Sequence, residues 1–381
     1  MNLQKLTFVI VTHVYATGPA FKLENYLNDK VGTLLFIGHP FSFKEDTRSF
    51  MRLYRKGKLV LEKRFLPWRG PEIFFYVKDI VLTLFWVLKY CKNVDYFVGT
   101  DNLNAFSGYL LKVLGKTKKY IFYTIDYVPN RFQNKLLNAA YHFSDRFAVK
   151  HSDAVWNLSS IMAEEREKRG VNPLYRKKQL VVPIGTDISQ NTFPLHKVDR
   201  YKVVHLGHLV AKQGVEMLIG AMHDVLKKVP RAHLLVIGGG PLEEKLKRDV
   251  KHFRLEKYVV FTGFVEKFSD VQLFLEDAAI GVAPYVDDEM TFTRYTDPGK
   301  PKDYLAKGMP VIITKVPRVA YEIEKKECGL AIPYKKNKLV DAIVTLLTND
   351  KLWIKYRNNA QKMAKQYTWD KIFQKALMES L

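Results

Sequence analysis

Two doubly wound α/β domains, each built on a parallel sheet, are what this 381-residue chain predicts. Three observations carry the prediction. The length exceeds that of one ordinary domain. Short apolar runs of strand length alternate with longer stretches of helical character, the pattern of parallel strands joined by crossover helices. The alternation also falls into two sets, parted by a polar stretch from Ser189 to Arg200 that contains Pro194. The expected division is therefore residues 1–190 and residues 191–367, with a last helix over 368–381.

In the first set, Lys5 to Val14 reads as a buried strand. Its LTFVIV run imitates a signal peptide, but Thr12 and His13 interrupt it, and a strand fits the alternation better. Gly18-Pro19 opens a helix through Leu27, and Thr33 to Ile37 is the next strand. A possible strand at Lys58 to Phe65 follows. Pro71 to Tyr90 is a long, very apolar helix opened by proline and Glu72. Tyr96 to Gly99 and Tyr120 to Ile125 are short strands that run into polar turns. Asn130 to Lys150 reads as a helix, and Ala154 to Leu158 and Leu180 to Ile184 as strands. In the second set, strands are expected at Lys202 to Leu206, His233 to Ile237, Val259 to Thr262, Ile280 to Ala283 and Val311 to Ile313, with helices between them. Thr368 to Leu381 is the final helix. The apolar run Ile80 to Leu88 is far short of the ~20 residues a membrane-spanning helix needs.

The net charge is +22, with a pI near 9.6. Residues 1–190 carry +13 of it and the remainder +9. Residues 44–69 hold nine basic side chains against three acidic ones, interleaved with Phe50, Tyr54, Phe65 and Trp68. Such a mixture suits an anionic membrane surface, where each nearby cation adds about 1 kcal/mol and aromatic rings settle at headgroup level. Nucleic acid is the less favoured partner, and a plain solvated basic face is the simplest reading. Cys91 and Cys328 form neither a disulfide framework nor a metal-ligand spacing, which points to a reducing compartment and to no metal. The expected location is cytoplasmic, peripheral on the inner face of a membrane.

The densest motif is Asp297 to Thr314, DPGKPKDYLAKGMPVIIT. Asp297 is placed to cap a helix, Pro298 to fill its first position, Gly308 to end it and Pro310 to prevent continuation. Lys300 and Asp303 lie three apart and share a face. A cation there opposes the helix dipole unless an anion joins it. A ligand with a diphosphate and a ribose supplies that anion and also uses the carboxylate. The plain alternative is an Asp303–Lys307 surface pair.

The string Pro298-x-Lys300-x-x-Asp303-Tyr304-x-Ala306-x-Gly308-x-Pro310-Val311 resembles the nucleotide-sugar signature of glycosyltransferases with two Rossmann-like domains facing a cleft, the GT-B fold. It is most similar to the group 1, or family 4, set and its inverting relatives. The resemblance covers roughly residues 200–381 and is one of general pattern before that. It implies an N-terminal acceptor domain, a C-terminal domain for a UDP- or GDP-linked sugar, metal-independent transfer, and a last helix that crosses back onto the first domain.

In open parallel sheets, ligands bind beyond the carboxyl ends of strands, so the loops there carry the candidate residues. In His205-Leu-Gly207-His208 and the residues that follow, Lys212 stands near the family's lysine position, and His208 replaces its usual arginine. Gly238-Gly239-Gly240-Pro241 ends a strand and lets backbone approach a ligand, with Gly239 at its centre. The backbone of Phe264 and Val265 follows the next strand, where the family reads the base. Lys300 neutralises the leaving diphosphate in this reading, and Asp303 takes the ribose hydroxyls. The family's pair of glutamates is not kept. Asp303 takes the second place, and Glu289, in a longer loop, is the candidate to reach the donor sugar. In the N-terminal half, Asp126 ends a strand and is the candidate general base if the enzyme inverts. His13 and Gly18 lie in the first loop, on the acceptor side. Two other readings suit the same fold: a sugar-nucleotide epimerase, and a catalytically silent scaffold that binds anionic membrane or polymer.

Overall fold

The computed structural model describes residues 2–15, 17–68, 70–188, 193–289 and 291–380, in two units. The first comprises Met1–Pro183 and Trp369–Leu381. It contains β1 (Thr7–Val14), α1 (Pro19–Leu27), β2 (Thr33–Pro40), β3 (Phe50–Arg55), β4 (Lys58–Arg64), α2 (Glu72–Tyr90), β5 (Val94–Gly99), α3 (Asn102–Val113), β6 (Thr117–Thr124), α4 (Lys135–His151), β7 (Ala154–Asn157), α5 (Ser160–Lys168) and β8 (Gln179–Val181). Among the described residues, eight strands run in the order β4-β3-β2-β1-β5-β6-β7-β8. The central β1 pairs in parallel with β2 and β5, Val9 lying opposite Leu35 and Phe97. Phe8 to Val11 and Leu34 to Ile37 are fully buried. They are apolar without alternation because both faces of a parallel sheet are covered.

The sheet is not wholly parallel, as the strand–helix alternation had implied. β3 and β4 form an antiparallel hairpin on its edge, with Arg55 opposite Lys58. The signal was Lys56-Gly57. Both residues have positive φ, 49° and 80°, and such a pair makes the two-residue turn whose twist matches a hairpin. Lys58, Glu62, Lys63 and Arg64 are exposed on β4 and guard the edge against further pairing.

A buried polar knot ties β6, β7, β8, α4 and α5. The Arg166 guanidinium donates to both Asp145 carboxylate oxygens at 2.8 and 2.7 Å, to Thr124 Oγ1 at 2.8 Å and to Asn157 Oδ1 at 2.6 Å. Burial of a cation on this scale is tolerated because its donors are met.

The second unit is Ile184–Thr368. It contains β9 (Asp199–Leu206), α6 (Val215–Lys228), β10 (His233–Ile237), α7 (Glu243–His252), β11 (Val259–Phe261), α8 (Phe268–Leu275), β12 (Ala278–Ala283), α9 (Lys300–Ala306), β13 (Val311–Thr314), α10 (Val319–Lys325), β14 (Gly329–Ile332), α11 (Lys336–Thr348) and α12 (Asp350–Ala364). Among the described residues, its six strands are parallel, in the order β11-β10-β9-β12-β13-β14. The order reverses at β9, where a doubly wound sheet opens a crevice beyond its strand ends.

This unit begins seven residues before the expected boundary, and the reason is local bonding. The Ile184 N–H donates to Asp297 Oδ2 at 2.7 Å, and the Thr186 N–H to the Tyr367 carbonyl at 2.8 Å. Thr186 also pairs with Thr368 in a parallel bridge. Of the stretch expected as a linker, Asp199 and Arg200 already belong to β9, and residues 189–192 lie outside the described ones. The last helix, α13 (Trp369–Ser380), belongs to the first unit. There Phe373 packs against Tyr26 of α1 at 5.6 Å between ring centres, and Ser380 Oγ accepts from Trp156 Nε1 at 2.8 Å.

Candidate active site

The second unit gathers its candidate residues where β9, β10 and β11 end. Their loops are joined through glycine backbones. The Gly207 N–H donates to the Ile237 carbonyl at 2.8 Å, the Leu209 N–H to Gly239 at 2.9 Å, and the Gly238 N–H to Gly263 at 3.1 Å. Two of these glycines are sterically required. A Cβ on Gly238, where φ is 127°, would meet the Gly207 carbonyl oxygen at 2.2 Å. A Cβ on Gly207, where φ is 147°, would lie 1.8 Å from Lys300 Nζ. The Lys300 ammonium therefore rests in a cradle left by the missing side chain of Gly207. It donates to Gln213 Oε1 at 2.6 Å.

Loss of hydration on burial is the main effect on Lys300 and lowers its pKa to about 7, against the opposing pull of Asp303. Next to it, His205 is fully enclosed. Burial, helped by the Lys300 charge, pushes its pKa down to about 3, so the ring is neutral. Nδ1 faces the Val282 carbonyl at 3.1 Å, while Nε2 is buried with no protein partner. Tyr304 of α9 is fully buried, and its hydroxyl accepts the Leu206 N–H at 2.7 Å. The Cβ-free Gly281 makes room for that ring.

Asp303 is half-buried, and its Oδ1 accepts from Thr186 Oγ1 at 2.9 Å. Lys307 reaches Glu276 at 3.2 Å, a partner other than the Asp303 of the surface-pair alternative. Asp297 departs from expectation. Helix α9 starts at Lys300 with Gly299 before it and no side-chain cap. The Asp297 carboxylate is occupied by the Ile184 N–H and by the buried Lys302 ammonium. Pro298 consequently precedes the helix, and Pro301 is its early proline. Gly308, with φ 71°, ends the helix as expected.

The remaining candidates spread around this centre. His208 and Lys212 are exposed on the loop after β9. Gly239 backs onto Phe264, whose N atom would sit 3.2 Å from an added Cβ. Phe264 is 77% exposed and Val265 half-buried. Glu289 is exposed, and its carbonyl accepts from Tyr295 Oη at 3.1 Å.

In the first unit, the strand ends hold a different cluster. Asp126, after β6, is exposed and accepts from Arg131 Nη1 at 2.8 Å. Gly18 is the N-cap of α1. His13, at the end of β1, is clamped between two carboxylates. Nδ1 lies 2.7 Å from Asp101 Oδ2, and Nε2 lies 3.3 Å from Asp79 Oδ2. Burial alone would lower its pKa, but Asp101 and Asp79 outweigh that and hold it up to about 10. His13 is thus an imidazolium with both nitrogens donating, and it has no lone pair with which to take a proton. Behind it, the buried His39 bridges Ser49 Oγ at 3.0 Å and Thr83 Oγ1 at 2.9 Å. Sequence reasoning picked out His13 but not its clamp, since Asp79 faces inward from a helix that reads only as very apolar. It also missed Gln213 and Thr186, which only the fold brings to Lys300 and Asp303. Among the described residues, no group of three or more His, Cys, Asp and Glu side chains is arranged to hold a metal ion.

Residues 200–349 match the family model described as "Glycosyl transferases group 1". An uncharacterized glycosyltransferase of Haemophilus influenzae is 24% identical over 182 residues, covering 47% of this chain and 49% of that protein. The chain thus spans about half the length of this curated relative. A GDP-mannose-dependent alpha-(1-6)-phosphatidylinositol dimannoside mannosyltransferase of Mycobacterium tuberculosis is 23% identical, covering 64% of this chain and 62% of that one. Among solved structures, HepE of Anabaena in complex with UDP superposes with a TM-score of 0.70 at 14% identity, over 99% of this chain and 100% of that chain. Residues 200–349 of the second unit are thus similar to the group 1 glycosyltransferases, and the chain has the GT-B fold.

Proposed function

We propose that the chain transfers a sugar from a UDP- or GDP-linked donor to a glycan or lipid-linked acceptor at a membrane surface, without a metal ion. The observation that carries this reading is the Lys300 ammonium, nested on Gly207 and held by Gln213 at the end of β9. A cation already stripped of water there is ready to meet a diphosphate, and it gains most when a negative charge develops. In the proposed reaction, the bond from the anomeric carbon to the diphosphate breaks and the charge settles on the phosphate beside Lys300. A new bond forms to the acceptor oxygen, whose proton passes to a base.

Lys212 and His208 are proposed to flank the phosphates, with the Gly239 backbone beneath them. Phe264 and Val265 would present their backbone to the base, and Asp303 would accept from the ribose. Asp126 is the proposed proton acceptor if configuration inverts, with Glu289 directed to the donor sugar. His13 is proposed to hold the acceptor side by its charge rather than as a base, with Gly18 beside it. The relatives named above are transferases by description, which favours neither the epimerase nor the scaffold. Both a GDP-linked donor and UDP occur among those names. The name of the M. tuberculosis relative also includes a phosphatidylinositol-based glycolipid, which supports the lipid-linked acceptor and a role in glycolipid or polysaccharide biosynthesis.

A thermal-shift panel of UDP, GDP and their sugars in EDTA tests the reading. A ligand at 100 times its Kd stabilises by about 2.7 kcal/mol. One nucleotide series should raise the Tm of the protein and raise that of Lys300→Ala much less. No shift with any nucleotide, or a shift only with Mg²⁺, overturns it.

A further inference from the structure

Helix α2 is apolar on both faces: Phe75, Leu82, Trp86 and Val87 pack inward, yet its outward stripe is apolar too, and its polar side chains are on the inner side. A surface helix normally turns its apolar stripe to the core and its polar face to water. Here Lys78, Asp79 and Thr83 point inward and are buried. Lys78 Nζ bonds Ser49 Oγ at 3.0 Å, Asp79 meets His13 and His39, and Thr83 bonds His39. The positions turned outward are Ile73, Phe74, Val77, Val81, Phe85 and Leu88, each 48–63% exposed. Their spacing of mostly three and four keeps them on one stripe about 22 Å long. Together they leave on the order of 600 Å² of mainly apolar surface, the upper end of what a monomer tolerates.

We infer that this outward stripe of α2 lies in the headgroup–acyl boundary of an anionic membrane and is the part of the first unit that enters the lipid. The inference rests on the membrane half of the function proposed above and moves its main contact from residues 44–69 to α2. Charge complementarity decides the occupant. Lys89 lies 5.3 Å from the Phe85 ring, and Lys63 of β4 lies 5.8 Å from the Tyr90 ring at the end of α2. Exposed Leu66 and Trp68 lead into the other end. Apolar residues edged by lysine and tryptophan are the pattern of helices that lie in a membrane interface. A second copy of the chain is a poorer fit. A two-fold contact through this stripe would bring together two copies of a half of the chain that carries +13.

The hairpin has a lesser part than its composition suggested. Arg48 and Arg64 bind Asp46 at 2.8 and 3.0 Å, and Arg52 binds the buried Glu24 at 2.5 Å. Exposed Arg55, Lys56, Lys58 and Lys63 remain as its electrostatic contribution. Among the described residues, no helix is long and apolar enough to cross a membrane, so α2 would lie along the surface.

The test is flotation of the full chain with phosphatidylcholine vesicles, with and without 30% phosphatidylglycerol. Val81→Glu/Phe85→Glu changes two exposed side chains and leaves the inward network intact. It should bind anionic vesicles at least about tenfold more weakly, at low and at high salt. Arg55→Glu/Lys58→Glu should lower binding mainly at low salt. A Val81→Cys protein labelled with an environment-sensitive dye should shift to the blue on anionic vesicles, since Cys91 and Cys328 are both buried. Unchanged flotation of the α2 variant, or a dye that stays in water, overturns the inference. So does a wild-type dimer that the α2 variant turns into a monomer while neither protein floats. Nucleotide binding without flotation leaves the transferase proposal standing and removes this one. Flotation through α2 with no nucleotide binding does the reverse.

Discussion

Replacing Gly207 by alanine should damage donor binding by displacing Lys300. The new Cβ would lie 1.8 Å from Lys300 Nζ and 2.5 Å from its Cε. Ordinary contact between such atoms is about 3.5 Å, so the ammonium must retreat by about 1.5 Å or more, beyond the reach of its 2.6 Å bond to Gln213. The backbone, at φ 147°, adds strain of roughly 1–3 kcal/mol for a residue with a side chain. If Lys300 then fails to meet the diphosphate, a charge-assisted bond worth about 1.5–3 kcal/mol is lost. Affinity for the nucleoside diphosphate should fall about 10- to 150-fold. Isothermal titration with UDP and GDP measures this, and circular dichroism confirms that the variant is folded. Lys300→Ala should be equally weak, and the double variant should be no weaker, because both changes remove one interaction. A folded Gly207→Ala protein with wild-type affinity, or additive losses in the double variant, would refute the cradle.

Three further predictions follow from charges. Because the Lys300 pKa is about 7 in the free protein, an anion beside it must raise it, and binding takes up a proton at pH 8. Titrations in buffers of different ionisation enthalpy should show that uptake vanishing below pH 6, while Lys300→Met shows none at any pH. Lys302→Met strips the buried Asp297 of its cation and should cost about 3–5 kcal/mol in urea unfolding. Its stability should recover as pH falls, since burial raises the Asp297 pKa; a loss under 1 kcal/mol would mean that the pair is replaceable. For His13, raised from 6.5 to about 10, the stabilising charge is fully present below pH 6.5 and lost as pH rises through 10. The stability that wild type holds over His13→Gln should therefore be largest at pH 6 and shrink as pH rises through 10. A matching slope in both proteins would show that the clamp is not charged.

Much of the fold was legible because buried parallel strands carry a strong local signal. Strands β1, β2, β10 and β13 start within about two residues of the apolar runs that announced them. The edge hairpin was harder to read. β3 alternates polar and apolar residues within a basic stretch, and only Lys56-Gly57 marks the turn. Helix α2 was placed correctly, but its orientation was hidden, since its sequence does not say that Lys78 and Asp79 face in. At the site, Lys300 and Asp303 stood out by spacing. Their partners did not, because Gln213 lies 87 residues from Lys300 and Thr186 lies 117 from Asp303. The cap assigned to Asp297 failed for the same reason: a partner far along the chain, Ile184, outbid the local helix N-terminus.

The most direct test of the account is a transfer assay in EDTA, with labelled UDP- and GDP-sugars and a lipid extract as acceptor. The account predicts that label from one donor moves into an extractable glycolipid with release of an equal amount of nucleoside diphosphate, and that Lys300→Ala abolishes both. A nucleotide sugar that is only epimerised, or one that stays intact in the cradle of Gly207 and Lys300 while the lipid remains unlabelled, would contradict it.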